Sequence, residues 1–549
     1  MAVNFKINGT PQQAEPGTLI IEAAERAGFD IPRFCYHPGL GVVGSCRMCL
    51  VELASGGGKL IPSCQTHVAE GIDVLTETER VRSNRRAVME YLLINHPLDC
   101  PVCDQAGECY LQDYSVTHGR GVCRFAEQKI KQPKKDLGRH IVLYMDRCVL
   151  CSRCVRFTRD VAGTGELCVV GRGAKAEIDI FPGRPLDNKL SGCVADLCPV
   201  GALLDKHFLH RQRAWNLSAT PSVCGRCATG CNINIFHNLG QIWRLKPRAN
   251  REVNGFWMCD DGRYGWDYAH DPRRLNFAPR HRGTEISADA FADGLTARLE
   301  EIVRVHGPGS IAAVLSPMWT TEEQFMLARV VRGIDPRATL AVGPVPIVGA
   351  DETFKSGFTI RAEKCPNRAG AERVLAALGG PVAEFNALFG QVGQSIRGLW
   401  LNGDYPPDIS WPWPGRPPGE WLNKDQAARL AAVSADACLI ASDLFATQAM
   451  ATAHWQWASA SPMEREGTFV NAAGLVQMTA AAPVGPEFAR PIGELLWRMS
   501  GEIGPIDLVQ VWRQMGEAGA AGYPYRPVAD PTCGPKPFAG NSSTPGVRG

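Results

Sequence analysis

Fifteen of the 21 cysteines in this 549-residue chain, together with one histidine, fall into four groups within its first 260 residues. Each group has a spacing that can hold an iron–sulfur cluster. Four redox centres on one chain indicate an electron-transfer path with a donor at one end and an acceptor at the other. In chain order, the four sets are Cys35, Cys46, Cys49 and Cys64; His96, Cys100, Cys103 and Cys109; Cys148, Cys151, Cys154 and Cys198; and Cys224, Cys227, Cys231 and Cys259.

The bulk composition is that of an ordinary soluble protein. The net charge of +2 gives no reason to expect a nucleic-acid partner or an anionic membrane surface. No apolar run reaches the ~18 residues that a membrane span needs. The N-terminus, MAVNFKINGT, lacks the apolar segment of a signal peptide, so we expect a cytoplasmic protein.

Zinc is the main alternative to iron, because a C-x2-C pair such as Cys224 and Cys227 also suits a structural zinc site. Three features together favour iron–sulfur clusters. Cys198 is followed by Pro199, the third set opens with a C-x2-C-x2-C triad, and four sets follow one another along the chain. A non-enzymatic scaffold held together by zinc is the corresponding alternative. Its purified protein would be colourless, which distinguishes it from an iron–sulfur protein.

The first set suits a [2Fe–2S] cluster, with three ligands from one loop and Cys64 from the following strand. Glycines in that loop would let the backbone approach the sulfides: Gly39, Gly41 and Gly44. Ten residues separate Cys35 from Cys46, whereas a plant-type ferredoxin has four in this gap. The longer loop indicates a branch that is used inside large redox complexes.

The second set is the most specific, because a histidine stands with three cysteines. Three cysteines alone would leave one iron of a [4Fe–4S] cluster without a protein ligand, and His96 can supply the fourth. A neutral imidazole leaves the cluster less negative and should raise its reduction potential. The alternative is that His96 only places a cation at the end of a helix.

The third set is half of a bacterial two-cluster ferredoxin and predicts one [4Fe–4S] cluster. The other half is missing, because the matching ligand positions hold other residues: Thr158, Asn188, Ser191 and Val194. The fourth set also fits a [4Fe–4S] cluster, in the pattern that opens molybdopterin oxidoreductases, although zinc remains its main rival. Cys193 is out of register with Cys198 and is interpreted as structural.

Arginines flank several of the predicted ligands, and their role has two possible interpretations. They can offset the negative charge of thiolate-ligated clusters, or they can be ordinary solvated surface residues. The arginines concerned are Arg33, Arg47, Arg147, Arg153 and Arg156. Six cysteines match no set and are predicted to be small buried residues: Cys123, Cys168, Cys193, Cys365, Cys438 and Cys533.

The hydrophobic pattern predicts an α+β multidomain chain. Strand 3–7 followed by Asn8-Gly9 signals one hairpin, and strands 48–53 and 59–64 signal another. Between them lies a helix at 18–28 that ends at the C-cap signal Gly28, the arrangement of a β-grasp ferredoxin. From about residue 273, helical segments alternate with short apolar strands at 311–315, 399–403 and 437–442, which predicts an α/β domain. The domains expected are 1–80, [2Fe–2S] ferredoxin-type; 81–120, His-plus-three-Cys; 121–215, ferredoxin-like [4Fe–4S]; 216–272, [4Fe–4S]; 273–521, α/β; and 522–549, a disordered tail.

Residues 1–272 resemble the large iron–sulfur subunit of respiratory NADH:quinone oxidoreductase, or complex I, which in bacteria is known as its G subunit. Residue 475 is leucine, where this family usually has arginine. The stretches that carry the resemblance are HPLDCPVCDQAGECYLQDY (96–114), DRCVLCSRCVRFTRD (146–160) and CPVGAL (198–203) and, more weakly, EREGTFVNAAGLVQ (464–477).

This resemblance implies an electron-relay role with no catalytic residue on the chain itself. Electrons would enter from NADH through a flavin (FMN) on a neighbouring subunit. They would pass through the first, then the third and then the second set on the way to quinone. The fourth set would lie off this path. Other peripheral-arm subunits would be partners, and the chain would meet the cytoplasmic side of the bacterial inner membrane only through the complex. The C-terminal region would be an abbreviated molybdopterin-oxidoreductase-like domain without molybdenum.

Two other kinds of redox enzyme are the alternatives. An electron-transfer subunit of a soluble NAD-linked formate dehydrogenase or hydrogenase would usually keep both halves of the two-cluster ferredoxin. A self-contained molybdenum enzyme would need a metal ligand, for which Cys365 has a suitable position, and full pterin-binding loops. The chain has no G-x-G-x-x-G after a strand and no Walker A motif, so NADH and flavin should bind a partner.

Overall fold

The computed structural model describes residues 2–408, 417, 419–433 and 437–519. Its described residues divide into two compact units, one formed by the chain up to Leu217 with Phe354–Gly357, and one formed by Ser218–Thr353 and the described residues from Phe358 to 519. The finer partition into six domains stays a prediction. The tail expected at 522–549 lies outside the described residues.

The first unit begins with a mixed five-stranded sheet. Its first hairpin turns at Asn8 and Gly9, whose φ angles of 50° and 80° are those of a type I′ turn. The first strand also pairs in parallel with the last one, which closes the β-grasp arrangement that the sequence predicts. Across the sheet the strands run Thr10–Ala14, Val3–Ile7, Asp73–Leu75, Leu50–Leu53 and Leu60–Pro62.

One helix, Ile20–Arg26, covers this sheet with its apolar face. It ends before Gly28, which has a φ of 81° and is the C-terminal signal that the sequence contained. Cys49 and Cys64 belong to the same buried cluster as Ile20. Two predicted ligands are therefore held by the core of the domain and not by a free loop.

A second helix, Glu79–Leu93, leads to His96. It begins at Glu79, where the Thr78 side chain caps it by accepting a hydrogen bond from the Val81 amide. It ends at Leu93, and Pro97 disfavours further helix. The remaining helices and strands of this unit are Tyr110–His118, Lys134–Asp136, Ile141–Tyr144, Arg153–Arg156, Leu167–Val170, Glu177–Ile180, Cys193–Leu197 and Leu203–Asp205.

The second unit opens with three antiparallel strands and a short helix, which carry the fourth set: Ser218–Val223, Asn232–Asn238, Gln241–Pro247 and Asp260–Tyr264. A seven-stranded sheet follows, and the five strands from Trp455–Ala458 across to the edge strand Thr339–Val342 are parallel, which confirms the predicted α/β architecture. In sheet order its strands are Thr284–Glu285, Arg280–His281, Trp455–Ala458, Cys438–Asp443, Gly398–Asn402, Ile311–Leu315 and Thr339–Val342.

Helices cover this sheet, and two small hairpins complete the unit. The first helix, at 288–306, begins with the Ser287 side chain as its cap. The helices are Ala288–His306, Thr321–Ile334, Arg368–Leu378, Phe385–Leu388, Lys424–Ala431, Gln448–Thr452, Ile492–Met499 and Leu508–Glu517. The hairpins are Glu352–Thr353 with Thr359–Ile360 and Gly467–Val470 with Val476–Thr479. None of the described helices is long and apolar enough to cross a membrane.

The carboxyl ends of the parallel strands carry a buried polar network centred on Arg465. Its guanidinium donates to the carboxylates of Glu323 and Asp404 and, at 2.8 Å, to the Ser459 hydroxyl. The Trp319 indole donates to Asp404 at 2.5 Å. In open α/β sheets, ligands usually bind at this edge. In this chain, the hydrogen-bonded side chains around Arg465 occupy it.

We expect Arg465→Met to lower the free energy of unfolding of the second unit by about 3–5 kcal/mol, because Asp404 and Glu323 would stay buried without their cation. Chemical unfolding followed by tryptophan fluorescence measures this, since every tryptophan except Trp215 lies beyond residue 217. Arg361→Met is the matched control. It breaks a pair with Asp351 in which both side chains are 40–45% exposed, and should cost below ~1 kcal/mol. Equal unfolding midpoints for the two variants would contradict this account.

Candidate functional site: four ligand sets

The structure brings the first set together. The thiol of Cys35 lies within hydrogen-bonding reach of those of Cys46 and Cys64, and the thiol of Cys49 lies within reach of that of Cys64. Hydrogen bonds from Cys46 and Cys64 hold the pKa of Cys35 well below its usual range. A compact group of thiols in which one is readily ionised has the chemistry of a cluster site.

The loop that wraps this set bends through left-handed residues. Gly44 has a φ of 63° and Arg47 a φ of 57°. A Cβ on Gly44 would also stand 2.4 Å from Oε1 of Gln65. No described atom lies within 4 Å of a Cβ built on Gly41, so its predicted role in close approach to a cluster stays a prediction. Gly44 has a reason of its own to be glycine, which is its left-handed backbone.

The four thiols of the third set influence one another. Burial raises the pKa of Cys154 well above its usual value, and the charges of Cys151, Cys148 and Cys198 raise it further, so all four lie within electrostatic range. Between the ligands, Leu150 and Ser152 take φ angles of 49° and 58°. Such conformations cost of order 1–3 kcal/mol for non-glycine residues and are typical of functional sites.

The positions of the missing ferredoxin half are filled by small side chains. Thr158, Ser191 and Val194 are fully buried, and Asn188 donates a hydrogen bond of 3.0 Å to Glu166. Thr158 lies in a π-helix, Phe157–Ala162, which follows the first three cysteines of the third set. π-helical turns are rare and are frequent at functional sites. No pattern in the sequence indicates this turn.

In the second set, His96 and two of the three cysteines are at least partly shielded from solvent. Cys103 and Cys109 are buried, Cys100 is exposed, and Cys103 lies within electrostatic range of both other thiols. Burial lowers the pKa of His96 to about 4, and the charges of Arg147 and then Lys129 lower it further. The neutral imidazole is the form that binds a metal.

Lys129 argues against the alternative that His96 is a helix-terminal cation. Its ammonium donates at 2.8 Å to the carbonyls of both Leu93 and Ile94, at the end of the helix. That position therefore already has a cation. No sequence motif pointed to Lys129, because it lies 33 residues beyond His96 in a segment without regular secondary structure.

The fourth set lies in the second unit, and all four of its thiols are buried. The Cys259 sulfur accepts a hydrogen bond of 3.3 Å from the Gly262 amide. A Cβ on Gly262 would stand 3.1 Å from the sulfur of Cys224. Across the described residues, no group of three or more His, Cys, Asp or Glu side chains is placed to hold a single metal ion.

Most of the flanking arginines are not surface residues. Arg147, Arg153 and Arg156 are at most 5% exposed and Arg33 is half-buried, so the solvated-surface interpretation is correct only for Arg47. Sequence alone could not separate them, because burial depends on which loops pack over each side chain.

The buried arginines connect the sets of the first unit. Arg156 donates to the carbonyls of Cys35 and Cys151, which joins the first set to the third. Arg147, next to Cys148, pairs with Asp99, next to Cys100, at 2.7 Å. The third set therefore shares direct contacts with both of the others.

Backbone packing adds to the connection between the second and third sets. The amide of Tyr110, which follows Cys109, donates to the carbonyl of Pro199 at 3.0 Å. Gly201, three residues after Cys198, lies so close to Cys103 that a Cβ would stand 2.2 Å from its sulfur. The segment after Cys198 thus forms one wall of the second set.

The remaining cysteines follow the prediction only in part. Cys193, Cys365 and Cys438 are buried, as predicted for small core residues. Cys168 is half-buried, and the prediction is wrong for Cys123, which lies exposed in a segment without regular structure that covers little surface. Cys533 lies outside the described residues.

Four family descriptions match consecutive parts of the chain. They are "2Fe-2S iron-sulfur cluster binding domain" at residues 1–79, "NADH-ubiquinone oxidoreductase-G iron-sulfur binding region" at 85–122, "NADH-quinone oxidoreductase subunit 3, ferredoxin-like domain" at 138–204 and "Molybdopterin oxidoreductase Fe4S4 domain" at 217–271. The chain therefore contains [2Fe–2S]-binding and [4Fe–4S]-binding domains in the predicted order.

Similar proteins include the G subunits of the NADH-quinone oxidoreductases of Rickettsia felis and Rickettsia conorii. Each is 38% identical over 325 residues, which are 59% of this chain and 48% of the relative. The chain thus spans about half the length of the curated relatives that it matches. A solved NAD+-reducing [NiFe]-hydrogenase, in the H2-reduced state, is 31% identical over 38% of this chain and 90% of its own, with a TM-score of 0.35.

Gly201→Ala should selectively disrupt the second set. Its backbone lies outside the left-handed region, so the expected damage comes from the collision of the new Cβ with the Cys103 sulfur. We expect about four fewer iron atoms per chain in the reconstituted protein. Gly121→Ala, where a Cβ would meet no described atom within 4 Å, should keep the full content. A full iron content in Gly201→Ala would contradict this geometry.

His96→Cys should keep a cluster but lower its reduction potential, since a thiolate adds negative charge where a neutral imidazole stood. The expected decrease is on the order of 100 mV, measured by redox titration with electron paramagnetic resonance (EPR) detection. His118→Cys, at another half-buried histidine of the first unit, is the control. If every centre keeps its spectrum and potential in His96→Cys, then His96 is not a ligand.

Proposed function

We propose that this chain, which over 59% of its length is related to the G subunit of NADH-quinone oxidoreductase, is an electron-relay subunit of such an oxidoreductase. It would accept electrons from a neighbouring subunit that binds NADH and FMN and deliver them towards quinone through further subunits. The chain itself makes and breaks no bond of NADH or quinone.

The observation that carries this proposal is the central position of the third set. Arg156 connects it to the first set, and Arg147 and Gly201 connect it to the second. A relay needs neighbouring centres that are close enough for electrons to pass between them. With the third set in the middle, electrons can pass from one end set to the other in a single order. That order is first, third and then second set, as the sequence resemblance implied.

The cofactors proposed are one [2Fe–2S] cluster in the first set and one [4Fe–4S] cluster in each of the other three. When bound, such clusters accept and release single electrons. The chain's own residues contribute ligands, burial and charge. Buried thiols such as Cys154 and Cys224 exclude water from the sites, and the left-handed loops wrap the ligands around each centre.

We place the fourth set, which lies in the second unit, off the main path, as the sequence resemblance implied. We further propose that the α/β domain mainly contacts other subunits of the complex. The complex would hold the chain at the cytoplasmic side of a bacterial inner membrane.

Two cysteine variants test the proposed path. Cys154→Ala should abolish NADH-to-quinone turnover, because it removes a ligand of the central set. Cys259→Ala should leave turnover close to the wild-type value in the assembled complex. Subunit content of each purified complex is the control for assembly. Full activity of Cys154→Ala, or lost activity of assembled Cys259→Ala, would contradict the proposed order.

Isolation of the chain with its natural partners separates this function from the alternatives. We expect a complex that contains FMN, oxidises NADH and reduces a quinone. A complex that contains nickel or molybdenum and reduces NAD+ with hydrogen or formate would instead establish the hydrogenase or formate dehydrogenase alternative.

A further inference from the structure

A single buried side chain contacts the loops of two ligand sets. Nη2 of Arg156 donates to the carbonyl of Cys35 at 2.5 Å and to that of Cys151 at 3.4 Å, and Nη1 donates to the carbonyl of Gly41. Cys35 and Gly41 belong to the loop of the first set, and Cys151 is a member of the third. A rigid planar guanidinium therefore ties the two loops together.

The contacts of Arg156 do not neutralise its charge. The side chain is only 5% exposed, and the three acceptors are neutral carbonyl oxygens. Its Nε is buried and has no hydrogen-bond partner within the part of the chain that the structure describes. A buried charge without a counter-charge is costly, so a negative group is expected nearby.

The ligand thiols are the groups that can provide this negative charge. Cys151 and Cys35 lie close enough to interact electrostatically with Arg156. Asp160 also acts on it, but that carboxylate is already paired with Arg159 at 2.7 Å. Thiolate-ligated clusters are anionic, so a cation buried between two of them stabilises both, and most strongly in the reduced state.

We propose that Arg156 is a positioning residue for electron transfer between the first and third sets. It holds the two loops at a fixed separation and raises the reduction potential of both centres. Arg153 reinforces the same junction, because it donates to the carbonyls of Tyr36 at 2.6 Å and Leu197 at 3.1 Å. This inference rests on the proposed relay function.

The test begins with Arg156→Met in the full chain, with clusters reconstituted anaerobically. In a mediated redox titration with EPR detection, both centres should become harder to reduce. At a fixed ambient potential we expect the reduced-to-oxidised ratio of each to fall about tenfold, or ~59 mV for one electron. Arg47→Met is the matched control: it removes an arginine beside Cys46 that is exposed, so solvent screens its charge.

Arg156→Lys separates charge from bridging. Lysine keeps the positive charge but is a point donor that cannot span both loops. We expect potentials close to those of the wild type, together with a weaker magnetic interaction between the two reduced centres, because that interaction depends steeply on their separation. Iron and sulfide per chain, measured on every variant, show whether the clusters are present.

Unchanged potentials and unchanged magnetic interaction in an iron-replete Arg156→Met chain would overturn the proposal. If that variant loses iron, Arg156→Lys decides: a wild-type interaction there overturns the bridging role, and a weakened one supports it. The titration uses chemical reductants and not NADH. Shifted potentials in a chain that never accepts electrons from an NADH-oxidising partner would therefore reject the proposed function while keeping this inference.

Discussion

The cost of burying thiol and thiolate groups determines which charged side chains are buried beside the ligand sets in the first 260 residues of this protein. In the third set, burial raises the pKa of Cys151 to about 11, which favours a neutral thiol there at physiological pH. Thiolates there need positive charge close by, from iron and from side chains. The buried arginines Arg147, Arg153 and Arg156 follow from that requirement, as does the absence of solvent around most ligands.

The same requirement explains why the ligand loops adopt unfavourable conformations. A loop that must direct several sulfurs to one point cannot also keep every residue in a relaxed region. Leu150 and Ser152 in the third set, and Arg47 in the first, take left-handed conformations that only the surrounding structure can maintain. Much of the stability of these domains is therefore expected to come from bound clusters.

The sequence predicted what depends on local pattern. The Asn8–Gly9 hairpin, the helix end at Gly28 and the strands at 311–315 and 437–442 were predictable, because turn chemistry and apolar periodicity act over a few residues. The ligand sets were recognisable for the same reason, since three ligands of each set lie close together in sequence.

What the sequence could not predict depends on long-range packing. Burial of Arg156 requires loops 115 and 121 residues away, and Lys129 reaches the helix that leads to His96 from a segment without a pattern. No pattern in the sequence indicates the π-helix after Cys154 or the exposure of Cys123. Thus candidate ligands could be named from the sequence, whereas the contacts between their loops could not.

The most direct test of the central claim is a metal and sulfide count on the anaerobically reconstituted chain, with zinc and molybdenum read in the same sample. One [2Fe–2S] and three [4Fe–4S] clusters predict about 14 iron atoms with matching sulfide. About 10 iron atoms with one zinc would make the fourth set structural and leave the relay of three sets. Zinc in every set, with little iron or sulfide, would contradict the electron-relay account.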